Sequence, residues 1–127
     1  WEVLRATGRG LAEWQADTPP PLLPLSAATA LVLRPEVPWL DARIARRFDR
    51  MLAEGALDEV RALLPRWREG TPAFRALGAE ELRDHLEGRL TLDEARSRAV
   101  VASRLYAKRQ RTWFRSRTGA WQPIALP

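Results

Sequence analysis

From about Trp39 to Glu54 the apolar residues Leu40, Ile44, Phe48, Met51 and Leu52 recur at helical spacing. That stripe predicts an amphipathic helix with one face in the core. Pro38 suits its first turn and Gly55 its stop. Leu57 to Trp67 predicts a second helix, with Val60, Leu63 and Leu64 apolar. Glu69-Gly70-Thr71-Pro72 reads as a loop. A short helix follows Gly78 over Ala79–Leu86, with Leu82 and Leu86 four apart. The pattern differs at Ala28-Thr29-Ala30-Leu31-Val32-Leu33, a continuous apolar run closed by Arg34-Pro35. Such a run predicts a short, buried strand.

The last helix has the clearest start. Thr91 is a good N-cap and Glu94 lies three residues on, so the two predict a capping box. Nothing breaks the helix from Leu92 to about Arg115, a rod of roughly 36 Å. Gly119 reads as its end, and Trp121 to Leu126 as an extended strand. At the other terminus, residues 1–7 read as the end of a helix stopped by Gly8, and Leu11 to Gln15 as one more turn. Asp17 to Pro24 holds Pro19, Pro20, Pro21 and Pro24 and is not regular helix. The divisions are a helical lead-in (1–15), a proline-rich loop (16–27), a strand (28–34), helices (38–118) and a tail (119–127). The fold class is mainly α with one or two short strands.

Composition narrows the chemistry. A chain of 127 residues without cysteine has neither a disulfide framework nor a cysteine metal site. The single histidine, His85, excludes histidine-cluster metal chemistry and reads as a solvated side chain. No apolar run reaches the roughly 20 residues that span a bilayer, and no signal-peptide pattern opens the chain; a soluble, cytoplasmic protein is expected. The first residues, Trp1-Glu2-Val3-Leu4, read as helix already under way, the mark of a piece of something longer. No phosphate loop of the G-x-x-x-x-G-K-[ST] type occurs. Glu80, Glu81, Asp84 and Glu87 alternate with Arg83, and no base, nucleophile or oxyanion constellation arises from them.

Charge then singles out one element. The formal net charge is +5, yet no acidic residue follows Glu94 while eight arginines and lysines do, so residues 1–95 carry −3. Arg104, Lys108, Arg111 and Arg115 fall within about 60° of one another on the last helix. Ala95, Ala102, Tyr106 and Trp113 take the opposite, packed side, where Trp113 reads as core in preference to base stacking. A line of like charges with no interleaved acid destabilises the helix slightly, and an anion would relieve it. Two readings stay open: a solvated face, or a surface for nucleic acid. An anionic membrane fits less well, because the opposite face is only small and aromatic. Arg43, Arg47 and Arg50 form a second stripe that reads as a solvated face paired with Asp49, Glu54 and Asp58.

The run Tyr106-Ala107-Lys108-Arg109-Gln110-Arg111-Thr112-Trp113-Phe114-Arg115 closely resembles a C-terminal signature of the tRNA dimethylallyltransferases, also called tRNA isopentenyltransferases. Three other stretches match in the same order. Trp1-Glu2-Val3 to Thr7-Gly8-Arg9, with Leu11 and Trp14, is similar to the segment before the family's proline-rich loop. Arg43-Ile44, Arg47-Phe48 and Met51-Leu52, with Gly55, Glu59-Val60 and Leu63, resemble its long helix. Ala76-Leu77-Gly78 with Glu81-Leu82 resembles its alanine-x-glycine-tyrosine segment, followed by Leu86 to Gly88 and Leu92 to Ala95.

The resemblance implies the C-terminal portion of a P-loop-like α/β enzyme. That enzyme moves a dimethylallyl group from dimethylallyl diphosphate to the exocyclic amine of the adenosine beside the tRNA anticodon. The family's phosphate loop and catalytic aspartate lie upstream, so no catalytic residue is expected in this chain and it is expected to be inactive alone. It binds no cofactor itself, while Mg2+ is expected for the full-length enzyme. The matched tRNA-contacting positions are Arg75, Ala76, Leu77, Gly78, Ala79 and Glu80, then Arg104 and Lys108, Arg109, Gln110, Arg111, Thr112, Trp113, Phe114 and Arg115. Arg47 matches a channel-facing arginine, implying a contact to diphosphate or a tRNA phosphate. The partner implied is a tRNA anticodon stem-loop. The family is monomeric, and the isolated segment is expected to self-associate through its exposed strand or the Leu40 side. Ala79 replaces a usual tyrosine, Ser103 keeps the hydroxyl of a common threonine, and Arg111 stands where a hydrophobic or small residue is frequent. A non-catalytic helical RNA-binding module, or a purely structural helical domain, is the alternative.

Overall fold

A computed structural model describes residues 1–68 and 71–126. The loop expected over 69–72 therefore lies outside the described residues at Glu69 and Gly70. The chain divides into two compact units, Trp1–Leu31 and Val32–Pro127.

The first unit holds α1 (Glu2–Thr7) and α2 (Leu11–Ala16). Gly8 ends α1 at φ 71°, and its N–H donates to the Leu4 carbonyl. Neither helix buries a residue; polar contacts join them instead. Trp14 Nε1 donates to Thr7 Oγ1 at 3.2 Å. The Arg9 guanidinium lies over the Trp14 ring and pairs with Asp17 at 3.3 Å. The prolines after Asp17 leave a single 3-10 turn, Leu25–Ala27, as the remaining helical structure.

The second unit takes in β1 (Leu31–Pro35) from Val32 on; the strand starts three residues later than the pattern predicts and carries through Arg34-Pro35. Of its residues only Val32 is buried, while Leu31 and Leu33 are exposed. A fully buried strand needs cover on both faces; β1 has one parallel neighbour, β2 (Gln122–Leu126), and successive side chains point to opposite faces. One face is left open.

Four helices make the rest of the unit: α3 (Val37–Ala53), α4 (Ala56–Leu63), α5 (Ala79–Leu86) and α6 (Leu92–Arg117). α4 is shorter than predicted. Pro65 has no N–H to continue the ladder, and the chain tightens into a 3-10 turn at Leu64–Arg66. α6 packs on α3 and α5, and α4 on the same pair. Phe48, Val60, Leu82, Ala99 and Val100 form the core, with Ile44, Leu52, Trp67 and Leu86 around it. The capping box of α6 is complete: Glu94 N–H donates to Thr91 Oγ1 at 3.2 Å, and Thr91 N–H donates to Glu94 Oε2 at 2.8 Å. Thr118, not Gly119, closes the helix, its N–H and hydroxyl both donating to the Phe114 carbonyl. His85 is half-buried rather than solvated, with Nδ1 3.1 Å from the Leu90 carbonyl.

The packed face of α6 is the main departure from the sequence pattern. It comprises Ala95, Ala99, Val100 and Ala107, while Tyr106 and Trp113 are 46% and 56% exposed. At 100° per residue this stripe is turned roughly 75° from the predicted one. Trp113 is thus not a core residue of this chain. The cause lies on α3. Asp49 pairs with Arg96, at 2.8 Å to Nη2, and Asp41 with Arg104 at 3.4 Å. Part of the basic line therefore faces a neighbouring helix, and small alanines let the two backbones approach.

Candidate nucleic-acid interface

The geometry begins at Gly78. Its φ is +96°, and a Cβ built on it would lie 2.5 Å from Phe48 Cε2 and 3.6 Å from the Ala99 Cβ. Only glycine tolerates both the left-handed backbone and the close approach to a ring. The segment from Arg75 to Glu80 is thereby clamped against α3 and α6 before α5 starts. It splits around that point. Leu77 turns toward α6, whereas Arg75 and Glu80 line a hollow with Trp67, Phe74 and Arg83. Ala76 is exposed and Ala79 half-buried.

Leu77 lines a groove of about 420 Å3 between β1, α3 and α6. Leu33 and Pro35 form one wall, Leu40, Ile44 and Arg47 a second, and Ser103, Tyr106, Gln110, Arg111 and Phe114 a third. A smaller cavity of about 230 Å3 shares Leu33, Pro35, Arg111 and Phe114 with it and adds Val32, Arg34 and Arg115. The decapeptide thus divides between two faces of α6. Gln110, Arg111, Phe114 and Arg115 turn toward β1. Lys108, Arg109, Thr112 and Trp113 line a shallow outer surface with Leu105 and Ser116. Trp113 meets Phe114 edge-on at 5.1 Å between centroids, and Arg109 lies over the Tyr106 ring at 5.7 Å.

The electrostatics are uneven along α6. Arg96 and Arg104 are matched by Asp49 and Asp41. The hydrogen bond from Arg96 holds the Asp49 carboxyl below the usual carboxylate range, and Asp49 in turn raises Arg96. Beyond Arg104, Lys108, Arg111 and Arg115 have no carboxylate partner among the described residues. The positive line predicted as unbroken is therefore neutralised in its first part and open in its second. The Arg43, Arg47 and Arg50 stripe also differs from expectation: Asp49 is taken by Arg96, Arg43 sits over the Trp39 ring, and Arg47 faces the groove. The acids of α5 form an ion-pair cluster in which Asp84 pairs with Arg83 and Arg89. The Arg89 hydrogen bond lowers the Asp84 carboxyl.

Arg47, Leu77, Gln110, Arg111 and Phe114 therefore meet in one groove. Arg75, Glu80 and the outer four residues of the decapeptide do not reach it. Arg34 and Tyr106 line these cavities although the sequence pattern marked one as a strand terminator and the other as core. The signal that points to Arg34 is its place at the carboxyl end of a parallel strand, where α/β folds bind ligands. Among the described residues no group of three or more His, Cys, Asp or Glu is placed to hold a metal. No described helix is long and apolar enough to cross a membrane.

A helical unit with a two-stranded sheet carries a groove lined by arginine and aromatic side chains, and the chain's relatives give it a family. The chain belongs to the IPP transferase family, whose profile matches residues 1–117. It is 65% identical over all 127 residues to a tRNA dimethylallyltransferase of Cereibacter sphaeroides, of which it covers 40%. It is 62% identical over 127 residues to one of Jannaschia sp., covering 44%. Its fold is similar to the crystal structure of a tRNA isopentenylpyrophosphate transferase from Bacillus halodurans, with a TM-score of 0.69 and 37% identity over 76% of this chain and 32% of that one. A second, from Staphylococcus epidermidis, gives a TM-score of 0.66 and 26% identity over 98% and 40%. The chain thus spans about two-fifths of the length of the two curated relatives and a third to two-fifths of the two crystallised ones.

Proposed function

We propose that this chain is the tRNA-binding C-terminal part of an enzyme that transfers a dimethylallyl group from dimethylallyl diphosphate to the exocyclic amine of the adenosine next to the anticodon. The observation that carries this reading is the convergence of Arg47, Leu77, Gln110, Arg111 and Phe114 on one groove, within a chain of the IPP transferase family. A base inside a folded RNA is modified only after it is extruded, and the distorted loop must be held. Single-stranded loops are held by phosphate anchoring and stacking. Lys108 and Arg115 anchor phosphates two turns apart along α6, and Arg47 holds diphosphate or an RNA phosphate inside the groove. Trp113 and Phe114 offer aromatic faces beside them. The phosphate loop and the catalytic aspartate belong to the rest of the longer enzyme, as does any Mg2+, which when bound would neutralise diphosphate charge. The enzyme works in the cytoplasm, where it meets tRNA.

The test is binding of an anticodon stem-loop to the longer enzyme across a salt series. Affinity should fall steeply with salt, and Lys108→Ala and Arg115→Ala should each reduce the logarithmic salt slope by about one. A flat, weak response in the unsubstituted enzyme would overturn the RNA reading.

A further inference from the structure

The smaller cavity beside β1 gathers three guanidinium groups, Arg34, Arg111 and Arg115, over Val32, Pro35 and Phe114. Among the described residues no carboxylate lines it, and none of the three guanidinium groups has an ion pair or hydrogen bond. Nη1 of Arg111 is shut off from solvent and has no hydrogen-bond partner among the described residues. A buried donor left unpaired is destabilising. Folding alone does not require it: position 111 sits one turn after buried Ala107, where an apolar side chain would fill the same space. The partial negative charge at the end of α6 accounts for Arg115 and Arg117. It does not account for the inward turn of Arg111. An anion with several oxygens, seated in the cavity, would satisfy Nη1 and relieve the repulsion among the three cations.

We propose that this cavity is a phosphate-binding site, in which Arg34 and Arg111 supply forked donors and Arg115 closes the rim. The proposal rests on the RNA reading and deepens it, because the phosphate it fits is a backbone phosphodiester of the bound RNA. The apolar floor suits the adjoining ribose, and the cavity runs on into the groove through Arg111 and Phe114. Free diphosphate carries the same oxygens and is the other source of this chemistry.

The test uses the full-length enzyme, an anticodon stem-loop and a salt series, with Lys108→Ala as the reference for the RNA reading. Arg34 is exposed in this chain, so its replacement leaves the packing of this segment intact, and an unchanged Tm of the RNA-free enzyme checks the same for the whole. Arg34→Gln should weaken RNA binding about tenfold and lower the salt slope by about one. Arg34→Lys should restore the slope but only part of the affinity, since lysine lacks the fork. Arg111→Met should weaken RNA binding while raising the Tm of the RNA-free protein, because an unpartnered donor is removed. A merely structural arginine gives the reverse, a lower Tm with unchanged RNA binding, and that result would overturn the site. Titration with inorganic diphosphate separates the sources. If Arg34→Gln weakens diphosphate binding and leaves the RNA slope unchanged, the site stands with diphosphate as its occupant. If it alters neither while Lys108→Ala still lowers the slope, the cavity proposal fails and the RNA reading survives. If Lys108→Ala also leaves the slope unchanged and diphosphate binding is unaffected, both readings fall.

Discussion

Gly78 carries more of the architecture than any side chain near it. Its positive φ and the 2.5 Å that a Cβ would leave to Phe48 are separate penalties, one conformational and one steric. Phe48 is 4% exposed and central to the core, so it has little room to retreat. Gly78→Ala should therefore lower stability by about 2–4 kcal/mol, read as a shift in the urea midpoint. A midpoint within experimental error of the parent would show that Phe48 can move. The sequence marks Gly78 as the residue before a helix and as part of a family segment. That it abuts an aromatic ring 30 positions earlier is a long-range fact, invisible to local pattern. Trp113 shows the converse: its helical angle is readable, but which side of α6 is covered is not.

At the scale of elements, the α3–α6 pair matters most. Asp49 and Asp41 on α3 meet Arg96 and Arg104 on α6, and Glu94 is tied into the capping box. The Asp49 carboxyl is lowered chiefly by the Arg96 hydrogen bond and that of Glu94 by the backbone N–H of Thr91. A carboxyl with a depressed folded pKa contributes stability above its unfolded value and loses it as pH falls through the folded one. Tm should accordingly be level near neutrality and decline below about pH 4. Asp49→Asn should lower Tm at pH 7, and that deficit should shrink as the pH approaches 3. A deficit constant with pH would mean that Asp49 acts by packing instead. The helices themselves were largely legible: α5 matches its predicted limits and α6 its capped start. β1 was not, since the apolar run predicts burial on both faces and a two-stranded sheet covers only one.

For the whole molecule, surface and length belong together. Leu22, Leu23, Leu31, Leu33 and Leu105 are each at least 44% exposed, in a chain about two-fifths as long as its relatives. Large apolar side chains exposed in such number point to surface that another chain or segment covers. The isolated chain should associate in a concentration-dependent way in sedimentation velocity, while the full-length enzyme stays monomeric under the same conditions. A chain that remains monomeric across the range would refute this.

Local sequence was enough for most helix limits, the capped start of α6, the uneven distribution of charge and, through one decapeptide, the family, because these depend on residues close together along the chain. Which basic residues stay without a carboxylate partner was set by packing between distant segments. Asp41 and Asp49 lie on α3, far from α6 in sequence, so no local pattern shows that they neutralise the first part of the basic line. The same packing turned α6, exposed Trp113, and brought Arg34 across from β1 to stand beside Arg111. Periodicity is set by the geometry of one helix; the choice of covered face is set by partners that arrive from elsewhere in the chain.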